Sequence, residues 1–136
     1  MPKVLISDSM SSVVQKIFEK NKISVEVKTS LSEDEIINII PNYDGMIVRS
    51  ATKVTKKIIA AGKKLKVIGR AGAGVDNIDI SAAKENNIIV MNTPGGNANA
   101  TAELTFALIM SLLRKIPFAN DTTHKGQWEK KNIKGV

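Results

Sequence analysis

The stretch GMIVRSATKVTKKIIAAGKKLKVIGR, Gly45–Arg70, decides the fold. It opens on Gly45-Met46-Ile47-Val48, an apolar run of strand length. Thr55 to Ala61 then reads as a helix, ended near Gly62, where a glycine suits the turn out of a helix. Leu65 to Gly69 is a second apolar run of strand length. A strand, a helix and another strand in so short a span make a βαβ unit, and such units build parallel sheets.

The same alternation continues on both sides. Val4-Leu5-Ile6 reads as a first strand, followed by Ser7-Asp8-Ser9, which can cap a helix from about Ser11 to Lys20. Ile23 to Lys28 alternates as a second strand. Ser32 and Glu35 have capping-box spacing at the start of the next helix, and Pro41 stops it. Beyond Arg70, Asp79 to Asn86 is a short helix and Ile88-Ile89-Val90-Met91 a fifth strand. A long helix from about Asn99 to Ile116 follows, stopped by Pro117. Short, nearly all-apolar strands fit burial on both faces. The expected fold is therefore α/β: a flavodoxin-like parallel five-stranded sheet flanked by helices, plus a long C-terminal connecting helix.

That last helix is apolar on most of its circumference, from Leu104 through Phe106, Leu108, Ile109 and Met110 to Leu113. Helices of this kind are buried ones. A five-stranded domain offers too little surface to cover it, so the helix is expected to pack on something else. Past Pro117 the chain turns polar and basic and reads as cut rather than finished. The apolar run is ten residues long, against about 20 for a bilayer crossing. No membrane association and no N-terminal signal peptide are expected.

With 136 residues, 43% apolar and 24% charged, the chain fits one ordinary domain. The absence of cysteine excludes a disulfide framework, a zinc–thiolate site and cysteine catalysis, and suits a cytoplasmic location. The net charge of +7 is unevenly placed: Gly45–Val75 contains no acidic residue but eight lysines and arginines. Such a field attracts anions, either phosphorylated metabolites or nucleic acid. The lysines from Lys53 to Lys64 read as a solvated helix face. Arg49 and Arg70 differ from them, because each ends an expected strand.

Ligands of open parallel sheets sit beyond the carboxyl ends of the strands. Three loops there suit an anion. Arg49-Ser50-Ala51-Thr52 offers a guanidinium and two hydroxyls. Gly69 to Asn77 brings glycines that let backbone N–H groups approach a ligand. Asn92 to Asn97 leads into the long helix, whose N-terminus favours negative charge. Each loop alone could be only a turn; the three together at one sheet edge point to a binding surface. The glycine spacing is not the G-x-G-x-x-G dinucleotide fingerprint, and none occurs in the chain. The single histidine, His124, lies in the polar tail and reads as surface. Asp8 and Asp76 read as helix caps or turn braces. No His/Asp/Glu cluster suggests a metal. No catalytic residue is assigned.

The segments Val48 to Thr55, Gly69 to Asn77, Val90 to Pro94 and Ala102-Glu103-Leu104 resemble, in order and spacing, the N-terminal region of the D-isomer-specific 2-hydroxyacid dehydrogenases. The likeness runs along essentially the whole chain. The Arg-Ser-Ala-Thr loop with Gly-Arg-Ala-Gly is similar to the branch acting on 3-phosphoglycerate. This resemblance implies a hydride transfer between NAD and 3-phosphoglycerate, giving 3-phosphooxypyruvate, the opening step of L-serine synthesis. It implies a substrate-binding lid domain over residues 1–98. Residues 99–136 would then be the connecting helix and the start of the nucleotide-binding domain. By the same resemblance Arg49 and Ser50 hold the phosphate and Arg70 supports that anionic site. Gly72, Ala73 and Gly74 bind the carboxylate, Ala73 touches the cofactor, and Asn97 lines the cleft. Lys130 matches an arginine that reaches a neighbouring subunit in some relatives. Ala73 stands where close relatives often carry threonine, so only a backbone contact to the cofactor is expected there. The family's catalytic arginine, glutamate and histidine match nothing in this chain, which implies an inactive segment that self-associates through the long helix.

Four other readings compete. One is another D-2-hydroxyacid dehydrogenase, and a second is a non-catalytic anion-binding module. A nucleic-acid binder would need interleaved aromatics, and the chain has one tryptophan, one tyrosine and three phenylalanines. A phosphorylated receiver domain needs an aspartate just after the third strand, where Arg49 stands.

Overall fold

A computed structural model describes residues 1–135. Two compact units divide at Gly96/Asn97. The first is a five-stranded sheet in the order β2-β1-β3-β4-β5, built from β1 (Lys3–Ile6), β2 (Ser24–Val27), β3 (Gly45–Val48), β4 (Val67–Arg70) and β5 (Ile89–Asn92). All four strand pairings are parallel. This is the doubly wound order of flavodoxin-like sheets, as the sequence leads one to expect. Helices α1 (Val13–Lys20), α2 (Glu33–Ile39), α3 (Lys56–Ala61) and α4 (Ile80–Glu85) fill the connections.

Local chemistry accounts for these elements. Ser32 caps α2 by accepting from the Glu35 N–H, while the Glu35 carboxylate accepts from the Ser32 N–H at 2.8 Å. That reciprocal bond from the Ser32 amide holds the Glu35 carboxyl below its usual range. Thr55 and Asp79 cap α3 and α4 in the same manner. Pro41 does end α2, inside a 3-10 turn over Ile40–Asn42. β4 begins two residues later than Leu65, which instead plugs the core.

Period-two alternation decides the two faces of the sheet. One cross-sheet row runs Leu5, Met46, Ile68, Val90, each paired with the next. These side chains meet Ile36 of α2, Ile58 and Ile59 of α3 and Ala82 and Ala83 of α4 in a single buried core. The other face carries Val4, Ile47, Val67 and Gly69 and meets Val14 and Phe18 of α1 around a cavity of about 430 Å³. Burial on both sides fails at β5. Ile89 and Met91 are 64% and 59% exposed. The reason is that α1 lies over the β1–β2 side, and the first unit has no second helix for this face.

At the β2 edge an ionic cluster ties the sheet together. Glu26 accepts from Lys3 Nζ at 2.7 Å, from the Tyr43 hydroxyl at 2.5 Å and from Lys28 Nζ at 3.0 Å. Lys3 Nζ also lies 4.8 Å from the Tyr43 ring centroid. Lys3, then Tyr43, then Lys28 lower the Glu26 carboxyl from 4.5 to about 2. Burial, with the Glu26 charge beside it, raises the Tyr43 hydroxyl. A depressed carboxyl contributes stability that is complete above its unfolded value and is lost as pH falls from 4.5 towards about 2. Urea midpoints across that window are expected to fall more steeply for the natural chain than for Glu26→Gln. Parallel profiles would remove this role from the cluster.

The second unit holds α5 (Ala98–Leu113) and α6 (Ile116–His124). One expectation needs correction here. Pro117 does not stop the long helix. Lys115, at φ 51, breaks it first, and Pro117 sits in the first turn of α6, where its missing N–H costs nothing. The expectation that α5 finds too little cover here holds: none of its residues is buried. A helix apolar all round needs cover on every side, and α6 is its one packing neighbour among the described residues of the unit. Val136, included in the 99–136 expectation, lies outside the described residues. No helix among the described residues is long and apolar enough to cross a membrane.

Candidate functional site

Parallel strands bring the loops after β1, β3, β4 and β5 to one edge of the sheet. The loop after β3, Arg49–Thr52, is held from both sides. Asp8, just after β1 and only 6% exposed, accepts from Arg49 N at 2.5 Å, Thr52 N at 3.3 Å and Thr52 Oγ1 at 2.7 Å. Asn77 donates through Nδ2 to the carbonyl oxygens of Arg49 at 2.7 Å and Thr52 at 2.6 Å. Asp8 therefore does not cap α1, whose N-cap Ser12 makes no side-chain bond. It braces a turn, but the turn of another strand.

The loop so held lines a cavity of about 670 Å³ with Ser9, Thr29, Ser30, Glu33 and Lys53. Arg49 and Ser50 both border it, and Arg49 Nη1 donates to Ser9 O at 3.3 Å. A guanidinium, an ammonium and several hydroxyls around an open cavity can hold a phosphate or a carboxylate by charge-assisted hydrogen bonds. Two carboxylates line the cavity as well: Asp8 is taken up by the loop, and Glu33 accepts from the Thr55 hydroxyl on the same wall at 2.5 Å.

Arg70 is placed differently from Arg49. Its Nε donates to Arg49 O at 3.3 Å, and its Nη1 lies 3.2 Å from Asp76 Oδ1. Its side chain is 12% exposed and its charge already has a partner, so its first role is to join the two loops. Gly74 leaves room for that pairing: a Cβ there would lie 2.9 Å from Arg70 Nη1 and 2.8 Å from Asp76 Oδ1, so the two side-chain ends would have to shift. Gly72 and Ala73 are pinned to the β5 loop, through Thr93 N to Gly72 O at 3.0 Å and Asn92 Nδ2 to Ala73 O at 2.7 Å. Arg70 and Gly72 to Gly74 thus adjoin the Arg49 loop without lining its cavity.

Asn97 belongs to the second unit, where it is the N-cap of α5 and makes no side-chain cap bond. His124 is exposed on α6 with Nδ1 2.8 Å from Asn120 O, and among the described residues no acid–base partner accompanies it. Lys130 is exposed. Among the described residues no three His, Cys, Asp or Glu side chains come together as a metal site. For NAD, Ala73 is the residue to test, and it is exposed, with its carbonyl already taken by Asn92. Its N–H, with no acceptor among the described residues, is the one backbone group it has left for a ligand. The sequence reading leaves Asp8 as a generic brace and gives Asn77 no role. For Asp8 the place just past a strand on the ligand edge hinted at a brace without naming its partners; Asn77, seven residues beyond β4, had no such signal.

Comparison with known proteins now adds to this geometry. The family model described as D-isomer specific 2-hydroxyacid dehydrogenase, catalytic domain, matches residues 4–127. D-3-phosphoglycerate dehydrogenase of Synechocystis sp. is 53% identical over 136 residues, which is 100% of this chain and 24% of that protein. The enzyme of the same name from Archaeoglobus fulgidus is 47% identical over 134 residues, 98% of this chain and 25% of its own length. The chain thus spans about a quarter of the length of these curated relatives. Among solved structures, cofactor (NAD+) bound 3-phosphoglycerate dehydrogenase of Entamoeba histolytica superposes with a TM-score of 0.74 at 39% identity, covering 84% of this chain and 40% of that one. TT0316 protein of Thermus thermophilus reaches a TM-score of 0.86 at 27% identity, covering 98% of this chain and 45% of its own.

Proposed function

Because this chain belongs to the D-isomer specific 2-hydroxyacid dehydrogenase family, we propose that it supplies the substrate-binding part of an enzyme that interconverts 3-phosphoglycerate and 3-phosphooxypyruvate. The observation that carries this reading is the clamped Arg49–Thr52 loop, with Arg49 and Ser50 at the mouth of an open cavity. The relatives named for 3-phosphoglycerate, 53% and 47% identical to this chain, support it.

Arg49 and Ser50 take the phosphate, with Lys53 adding charge beside them. The Gly72 to Gly74 backbone takes the carboxylate through the Ala73 and Gly74 N–H groups, since the Gly72 N–H already donates to Arg70 O at 2.9 Å, and Arg70 ties that loop to the first through Arg49 O. Two anchors at opposite ends of a small substrate fix the hydroxyl-bearing carbon between them, which is the part of catalysis that orientation supplies. The Ala73 backbone would border bound NAD, which would supply the hydride acceptor. Asn97 lines the cleft. In this reading residues 1–98 are the lid and 99–136 the connecting helix and the start of the nucleotide-binding domain. The parent enzyme is cytoplasmic and the chain self-associates through α5; nucleic acid and membranes are not its partners.

The chain by itself is expected to leave NADH unoxidised in the presence of 3-phosphooxypyruvate. Its single histidine has no acid–base partner among the described residues, and its sequence carries no dinucleotide fingerprint. Turnover by a clean preparation would overturn the placing of the catalytic groups outside these residues. Joined to the remaining part of the Synechocystis relative, it is expected to oxidise 3-phosphoglycerate with NAD. A chimaera preferring an unphosphorylated D-2-hydroxy acid would favour another member of the family.

A further inference from the structure

A loop without regular structure holds a guanidinium in place only if its own backbone is tied down, because each free polar group leaves it other conformations. In the Arg49–Thr52 loop the ties come from two side chains on distant parts of the sequence. Asp8 accepts both N–H groups, of Arg49 and Thr52, together with the Thr52 hydroxyl. Asn77 donates to both carbonyls of the same two residues. The acceptor side chain meets the donors and the donor side chain meets the acceptors.

We propose that Asp8 and Asn77 are positioning residues, which together preset the Arg49 guanidinium and Ser50 hydroxyl for a phosphate. The inference rests on the functional reading above and adds the device that makes it work. The clamp consumes the polar groups of residues 49 and 52. Among the described residues it leaves the Ser50 and Ala51 amides without an acceptor, in between, for a ligand. Asn77 shows which end of its amide matters: Oδ1 is buried and unpartnered, while Nδ2 makes two bonds. A buried unpartnered acceptor is costly, so the two donated bonds must outweigh it.

The chemistry predicts an asymmetry between two substitutions of equal size. In Asp8→Asn the carbonyl oxygen still accepts both N–H groups, and the NH2 donates to a Thr52 hydroxyl that has turned to accept. The geometry survives, and a negative charge beneath an anion site disappears. In Asn77→Asp a carboxylate faces two carbonyl oxygens with nothing to donate, and that half of the clamp opens.

The test is a calorimetric titration of the chain with 3-phosphoglycerate, paired with amide hydrogen exchange at Arg49 and Thr52. Asp8→Ala and Asn77→Asp are expected to bind about tenfold more weakly or worse. Asp8→Asn is expected to rescue, binding at least as tightly as the natural chain. In Asp8→Ala the Arg49 and Thr52 amides exchange faster, while the Met46 and Ile68 amides in the core stay protected. Natural affinity in Asp8→Ala and Asn77→Asp, or loss in Asp8→Asn equal to that in Asp8→Ala, overturns the proposal. If the natural chain binds no 3-phosphoglycerate, the functional reading fails separately. Exchange at Arg49 and Thr52 then still decides the clamp, and unchanged rates in Asp8→Ala refute it. Should Asp8→Ala not fold, Asn77→Asp against Asp8→Asn carries the same comparison.

Discussion

Arg49→Ala is expected to weaken 3-phosphoglycerate binding by about 100-fold, with the fold unchanged. Hydrogen bonds to charged groups are worth about 1.5–3 kcal/mol, and every 1.4 kcal/mol is about tenfold in affinity. Arg49 borders an open cavity, and its side chain makes one weak bond, to Ser9 O at 3.3 Å, so its removal leaves the core intact. Arg49→Lys should fall between, about tenfold weaker, because an ammonium keeps the charge and loses the planar fork that matches a phosphate. Arg70→Ala acts through another route. It frees Asp76 and cuts the link to Arg49 O, so carboxylate and phosphate anchors loosen together. Calorimetric titration with 3-phosphoglycerate and with glycerate separates the two. Arg49→Ala should bring the affinities for these acids together, since only one carries a phosphate. Undiminished binding in Arg49→Ala would remove this arginine from the site.

The second large effect concerns α5. Phe106 and Leu112 are 69% and 79% exposed, and Leu104 and Leu108 about as exposed as each other at 60% and 61%. Burying one large apolar side chain is worth roughly 1.5–3 kcal/mol, so a helix carrying several of them associates readily. Two copies packing α5 against α5 would satisfy both with one self-complementary contact. Sedimentation is expected to show a dimer or larger species for the natural chain and a monomer for Phe106→Glu combined with Leu112→Glu. A natural chain that sediments as a monomer at all concentrations would show that α5 needs no such cover.

Most of the fold was legible because its signals are local. Apolar runs of strand length alternate with capped helices, and Ser32 with Glu35 forms the capping box that its spacing announces. What escaped was set by tertiary geometry. Exposure of Ile89 and Met91 depends on which face α1 covers, and no single strand's composition records that. Lys115 breaks the long helix in a left-handed conformation, which for a lysine has no sequence signature, and Pro117 is then free to start α6. In the site, Arg49 and Ser50 were readable from their place after a strand. Asp8 and Asn77 were not, because their partners lie 41 and 28 residues away along the chain. Arg70 read as a second anion ligand, and its pairing with Asp76 required the folded loop to be seen.

The central claim is that this chain holds a phosphate-selective site on its own loops. Its most direct test is an NMR titration of the isotope-labelled chain with 3-phosphoglycerate, using glycerate and NAD as comparators. Saturable shifts at Arg49, Ser50 and the Gly72 to Gly74 amides, larger with the phosphorylated acid, are the expected result. A folded spectrum in which those amides do not move, or move equally with glycerate, would contradict it.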